Sequence, residues 1–237
     1  QHSTLDEVIQ RAEMRLLDCQ SEDGHWVFPL EADVTITAEY ILLNHYLGEI
    51  NDEVETKLAN YIRRIQSEHG GWPLYHAGEF NVSASVKAYF ALKLSGDDPE
   101  APHMTKARDA ILAHGGAKEA NVFTRITLAL FGLVPWRATP VTRIEVLFAP
   151  KWFPLHINKV SYWTRTVTVP LLILTALRPQ AKNPRNVSLD ELFTKSRFEE
   201  DYRIKNPTGH WLGSLMIALD HLARPFENLI PIYFVNR

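Results

Sequence analysis

Cysteine occurs once in the 237 residues, as Cys19. A lone cysteine excludes an internal disulfide framework and leans towards a reducing compartment, with Cys19 read as a packing residue. Long hydrophobic runs are missing too: no stretch reaches the roughly 18–20 uninterrupted apolar residues that a spanning helix needs. Of the two most apolar segments, 167–177 is too short, and 211–234 is broken by Asp220, His221, Arg224, Glu227 and Asn228. That excludes an integral spanning protein by this measure and leaves room for one that lies on a membrane. No basic-then-apolar signal opens the chain. A surplus of positive charge is absent: the formal net charge is -3, so no nucleic-acid partner is indicated. The ten histidines show no His-Glu-x-x-His and no paired ligand spacing, so no metal is expected. There is no glycine-rich phosphate loop and no Gly-x-Ser-x-Gly elbow. The chain starts at Gln1 and stops at Arg237 without terminal punctuation, which reads as two cuts in a longer polypeptide.

What is there is enough for a folded core. Hydrophobic residues make up 46% of the chain and charged residues 22%, which fits one large domain or two small ones and not a disordered chain. The strongest internal signal is a repeat. Arg11-Ala12, Leu16, Gln20, Gly24 and Trp26 are followed 46 positions later by Lys57-Leu58, Ile62, Gln66, Gly70 and Trp72. A third copy, 45 residues further on, has decayed: His114-Gly115-Gly116 matches His69-Gly70-Gly71, but Ile111 replaces the Gln and Ala117 the Trp.

Each unit reads as two helices. The first carries apolar residues at helical spacing (Val8, Ile9, Ala12, Leu16 and Leu17) and is expected to end at the Gly. The second is nearly all apolar, over 34–47, 82–94 and 122–131, with N-caps at Asp33, Asn81 and Asn121 and stops before Gly48, Gly96 and Gly132. Helices apolar on most faces are expected to be buried. Amphipathic helices alternating with buried ones make an outer and an inner ring, an all-α, α/α barrel (toroid). A tetratricopeptide or ankyrin array, with its period of about 33–34 residues, does not fit. The Gln and Trp of each repeat are expected to be structural, the Gln amide capping backbone groups at a helix end and lying against the indole.

Gln-x-x-x-Gly-x-Trp at the end of an outer helix resembles the QW motif of triterpene cyclases, with Gln20, Gly24, Trp26 and Gln66, Gly70, Trp72 in register. Glu31-Ala32-Asp33-Val34-Thr35-Ile36-Thr37-Ala38-Glu39-Tyr40, Phe131-Gly132-Leu133-Val134-Pro135-Trp136-Arg137, Ser161-Tyr162-Trp163-Thr164-Arg165 and Asn206-Pro207-Thr208-Gly209-His210-Trp211-Leu212-Gly213-Ser214 are similar to bacterial squalene–hopene cyclases. The resemblance runs over nearly the whole chain but only the first part of the family's length. It implies the terpenoid cyclase/prenyltransferase type of α/α barrel. Residues 1–30 would form the N-terminal helix and first QW repeat, and residues 31–237 the smaller N-terminal barrel, without the catalytic C-terminal barrel. The activity implied is cyclisation of squalene to hopene or hopanol in hopanoid biosynthesis, with no metal and no organic cofactor.

Such a reaction starts by protonating an unactivated double bond, which the family does with an Asp-x-Asp-Asp motif. That motif is absent here. Asp97-Asp98 lacks the first Asp, and Glu199-Glu200-Asp201 reads as a solvated run. The acid is expected in the C-terminal half and the isolated chain is expected to be inactive. A tryptophan in a Trp-x-Arg segment lines the family's cavity, which carries over to Trp163; the alternative is a core residue. Arg125 and Arg165 are expected to form ion pairs or cap carbonyls.

A membrane-facing helix is read at 211–226, with Leu212, Leu215, Met216, Leu219, Leu222 and Phe226 on one face. The alternative is a helix buried against the other barrel. The stretch 137–159, with Arg137, Arg143, Lys151, Lys159, Trp136, Trp152 and Phe153, suits a headgroup interface or a solvated loop. Residues 179–207 read as a long polar connection, and 167–174 as a buried helix with Pro170 near its first turns or at a kink. The implied setting is peripheral or monotopic, on the cytoplasmic face of the bacterial inner membrane. The implied partners are squalene, the membrane surface, the remaining half of the protein and a second copy in a homodimer. Another class II isoprenoid cyclase, a carbohydrate-active toroid and a non-catalytic helical module are the competing readings.

Overall fold

The computed structural model describes residues 4–28, 32–140, 144–153, 156–202, 209 and 211–223. Among them are eight α-helices and no strand: α1 (Leu5–Asp18), α2 (Val34–Leu47), α3 (Asp52–Arg64), α4 (Val82–Leu94), α5 (Pro102–Ala113), α6 (Val122–Leu130), α7 (Tyr162–Leu177) and α8 (Trp211–Ala223). Two compact units separate at Ala32–Asp33.

The first unit holds α1 and the loop after it. Thr4 and Glu7 form a capping box: the Glu7 amide donates to the Thr4 hydroxyl, and the Thr4 amide to the Glu7 carboxylate at 3.0 Å. The helix ends at Asp18, so the stop precedes Gly24 by a whole loop instead of falling on it. None of the residues of α1 is buried.

The second unit alternates outer and inner helices. The outer helices α3 and α5 bury one stripe each, Glu55, Ala59 and Ile62 on one and Met104, Ala107 and Ile111 on the other. The inner helices α2, α4 and α6 begin at Asp33, Asn81 and Asn121, whose side chains accept the amides of Thr35, Ala84 and Thr124. The core is built on α4, which packs along α2 and against α3, α5 and α6. It buries ten of its thirteen residues.

The expectation that every inner helix is buried fails for α2. It buries only Val34, Ala38, Ile41, Leu42 and His45 of fourteen residues, because its opposite face has no neighbour among the described residues. Likewise α7 buries only Leu172 and Thr175. It begins at Tyr162 and runs through Pro170, which lies mid-helix and not near the first turns.

The polar segment 178–193 is more than a connection. A helix leaves its last four carbonyls without intrahelical partners, and this segment supplies donors to three helices. The Ala181 amide donates to the Leu130 carbonyl of α6 at 2.8 Å, and the Lys182 amide to the Tyr46 carbonyl of α2 at 3.1 Å. The Arg185 guanidinium donates to the Leu94 carbonyl of α4. The inner helices therefore end together beneath one strap. Residues 178–185 hold three basic residues and no acidic one, which complements the partial negative charge of gathered helix C-termini.

Candidate functional site

The two QW loops share one hydrogen-bond pattern. In each, the Gln amide donates to the carbonyl of the Gly four residues on, at 2.6 Å for both Gln20 and Gln66. The indole donates back to the last turn of the preceding helix, Trp26 to Leu16 at 2.6 Å and Trp72 to Ile62 at 2.9 Å. The Gly amide donates to the Ser three residues before it, Gly24 to Ser21 and Gly70 to Ser67. Gly24 and Gly70 hold φ of 89° and 91°, which glycine alone adopts without strain. The motif thus stitches a helix C-terminus to the loop that leaves it. Gln66 goes further and also donates to the His103 carbonyl of α5 at 2.9 Å. In the decayed third copy, Ile111 and Ala117 are buried apolar residues.

The acidic clusters are locks, not proton donors. Asp97 accepts Arg63 of α3, at 2.9 Å from Nε, and lies 2.6 Å from His103 Nε2 of α5. Burial opposes its ionisation, but the hydrogen bonds from Arg63 and His103 hold its carboxyl below the usual range. Glu200 is buried, not solvated. Burial again opposes its charge, yet Lys118 at 2.9 Å, the Thr194 hydroxyl and the Lys195 amide pull it down to about 2. A group that protonates an alkene must carry its proton at working pH; Asp97 and Glu200 are held ionised. Arg125 caps carbonyls as expected, donating to Lys118, Ala120 and Tyr202. The Nε of Arg165 is buried without a hydrogen-bond partner among the described residues.

Sequence reasoning missed a buried ionic cluster. His45 of α2 lies 2.6 Å from the Glu55 carboxylate of α3, and both are buried. Arg185 of the strap donates to the other Glu55 oxygen at 2.6 Å and to Asp52 at 3.0 Å. Nothing in the spacing of these four residues announces it, since 130 positions separate Glu55 from Arg185.

The described surfaces carry the remaining candidates. Trp163 is 76% exposed at the first turn of α7, outside the core that the described residues form. Tyr162, Phe148 and Trp152 are exposed as well. On α8, Trp211, Leu215 and Leu222 are exposed among the described residues, so they are not buried within residues 1–237, and both the membrane-facing helix and the helix packed on the other barrel are compatible with that. The side chains of Leu212, Met216 and Leu219, and Phe226 altogether, lie outside the described residues, as does Arg143. No helix of the described residues is long and apolar enough to cross a membrane, and no group of three or more His, Cys, Asp or Glu among them could hold a metal ion.

The described residues are all-helical, consistent with a fragment of an α/α toroid, and comparison with known proteins narrows this. The family model described as "Squalene-hopene cyclase N-terminal domain" matches residues 9–237. A squalene–hopene cyclase of Bradyrhizobium diazoefficiens is 54% identical over 229 residues, covering 96% of this chain and 35% of that protein. One of Zymomonas mobilis is 59% identical over 197 residues, covering 81% and 30%. A dammaradiene synthase of Dryopteris crassirhizoma is 34% identical over 226 residues, covering 95% and 33%. The chain belongs to the squalene–hopene cyclase N-terminal domain family, and it spans about a third of the length of these relatives.

Proposed function

We propose that the chain is the N-terminal third of an enzyme that converts squalene to hopene and hopanol by proton-initiated carbocation cyclisation. The observation that carries this reading is the 54% identity to a squalene–hopene cyclase over nearly the whole chain. Forming hopene rearranges bonds without changing composition, which is isomerisation; water capture gives hopanol, the chemistry of a lyase run in reverse. The acid that starts the reaction belongs to the part of the protein after residue 237. This part contributes wall and scaffold. Trp163, exposed on α7, offers an aromatic face to the migrating positive charge, an attraction of about 2 kcal/mol when desolvated. Squalene is a hydrocarbon held in bilayers, and exposed Trp211, Leu215 and Leu222 support α8 as a surface that dips into one. A peripheral place on the cytoplasmic face of the bacterial inner membrane is part of the same proposal, and the hydrocarbon nature of squalene is what supports it.

The test is incubation of the purified full-length protein with squalene in detergent micelles, read by gas chromatography and mass spectrometry. Hopene and hopanol are expected, with none from residues 1–237 alone. A different triterpene would reassign the product, and turnover by residues 1–237 alone, or none by the whole protein, would overturn the reading. Trp163→Ala in the full-length enzyme should lower kcat by about 30-fold at nearly constant KM, the rate equivalent of about 2 kcal/mol. Trp163→Phe should recover part of it.

A further inference from the structure

The two ends of the strap are held in different ways. Residues 188–193 are anchored: Leu189 and Leu192 are fully buried, and Lys93 of α4 donates to the Ser188 carbonyl at 2.8 Å and pairs with Glu191. No residue of 178–187 is buried, so no apolar side chain roots that stretch in the core. Its ties to the helices are polar: the Ala181 and Lys182 amides on the Leu130 and Tyr46 carbonyls, and Arg185 on Leu94, Glu55 and Asp52. Within itself it is knit together, since Asn183 donates to the Val187 carbonyl and accepts the Val187 amide, both at 3.2 Å. The same stretch carries backbone strain. Among the described residues, the non-glycine residues in the left-handed region are Ala77, Arg178, Asn183 and Asn186, at φ 55°, 46°, 39° and 49°. Three of these four fall within 178–186. Asparagine bears that region more easily than arginine, but such conformations persist only where surrounding contacts over-determine them, and they collect at switch segments.

We propose that residues 178–187 form a sprung strap, which lifts as one body from the C-terminal ends of α2, α4 and α6 while the helices stay folded, and that Arg185 is its latch. Glu55 is what the latch acts on. Its side chain is 6% exposed and sits between His45 and Arg185. A buried carboxylate stripped of its cationic partner is strongly destabilising. With Arg185 in place the closed strap neutralises that charge. Without it, water reaching Glu55 and the relief of strain at 178, 183 and 186 both favour the lifted form. Asp52 is exposed, so its bond to Arg185 adds little. Segments with few buried apolar contacts are the ones that open locally, below the free energy of global unfolding.

The test is amide hydrogen exchange in the full-length protein, read by peptide mass spectrometry over 178–187 and over α4. Arg185→Met should speed exchange of 178–187 by roughly tenfold or more and leave α4 unchanged. Adding Glu55→Gln should reverse most of that increase, because a neutral amide does not need the guanidinium. Asn186→Val leaves the latch residues in place and sets a β-branched side chain at positive φ. It should speed the same stretch and again spare α4. Acceleration of α4 to the same degree would overturn the proposal, since the strap would then open only with the whole fold. So would parent-like exchange of 178–187 in either Arg185→Met or Asn186→Val, or no reversal by Glu55→Gln.

Discussion

The loops at Gln20–Trp26 and Gln66–Trp72 have the same hydrogen bonds and nearly the same glycine φ, yet Trp26 is 44% exposed and Trp72 is fully buried. A Cβ on Gly24 would meet only the Gln20 amide nitrogen, at 3.8 Å, whereas one on Gly70 would sit 2.7 Å from the Lys106 carbonyl oxygen of α5. Local sequence therefore suffices to build the motif, and the neighbouring outer helix turns it into core. The first loop shows the motif before a neighbour arrives, and the second shows it after.

Five substitutions, in three comparisons, sharpen this contrast in residues 1–237. The largest effect should come from the indoles. Trp72→Ala should cost about 3–5 kcal/mol as a large core truncation, and Trp26→Ala about 1 kcal/mol, the worth of a hydrogen bond at an exposed site. Urea unfolding followed by circular dichroism measures both, and equal losses would break the contrast.

Acid comes next, because the unit that holds the second loop also buries the carboxylate of Glu200, whereas α1 beside the first loop buries no residue. The folded-state value of Glu200, about 2, lies below its ordinary 4.5. Its ionised form thus stabilises the fold above the ordinary value, and that contribution drains away as pH falls from about 4.5 towards 2. Urea midpoints at pH 6, 4 and 3 should fall for the parent chain and change less for Glu200→Gln, while the helicity of α1, which has no buried residue, follows neither.

The smallest effect is in the amides. Gln66→Ala loses bonds to both Gly70 and His103 and should cost about 1.5 kcal/mol, against about 0.5 kcal/mol for Gln20→Ala, which loses one exposed bond.

Much of the fold was legible in the residues. The spans 34–47 and 82–94 agree with α2 and α4, and 122–131 overshoots α6 by one residue. Asp33, Asn81 and Asn121 cap as their positions suggested. These features are local, fixed by periodicity and by a side chain two or three residues from the amide it accepts. What escaped was relational. Apolar composition says that Ile36 and Leu43 favour burial, but not whether a partner is present. The polar run from Pro179 looks like a connection because nothing in it says that Leu130, Tyr46 and Leu94 place their free carbonyls opposite. The same blindness hid His45–Glu55–Arg185, and it made the helix stop at Asp18 look as though it belonged to Gly24. Of the candidate surfaces, the exposure of Trp163, Leu215 and Leu222 could be read only once α7 and α8 were placed.

Burial in this chain follows the presence of a neighbour, with α4 complete and α2 waiting. Amide hydrogen exchange, compared between residues 1–237 and the full-length protein, tests this most directly. The amides of α4 should be strongly protected in both, while those of α2 exchange markedly faster in the shorter chain and slow to the level of α4 in the whole protein. Protection of α2 equal to that of α4 in residues 1–237, unchanged in the full-length protein, would contradict it.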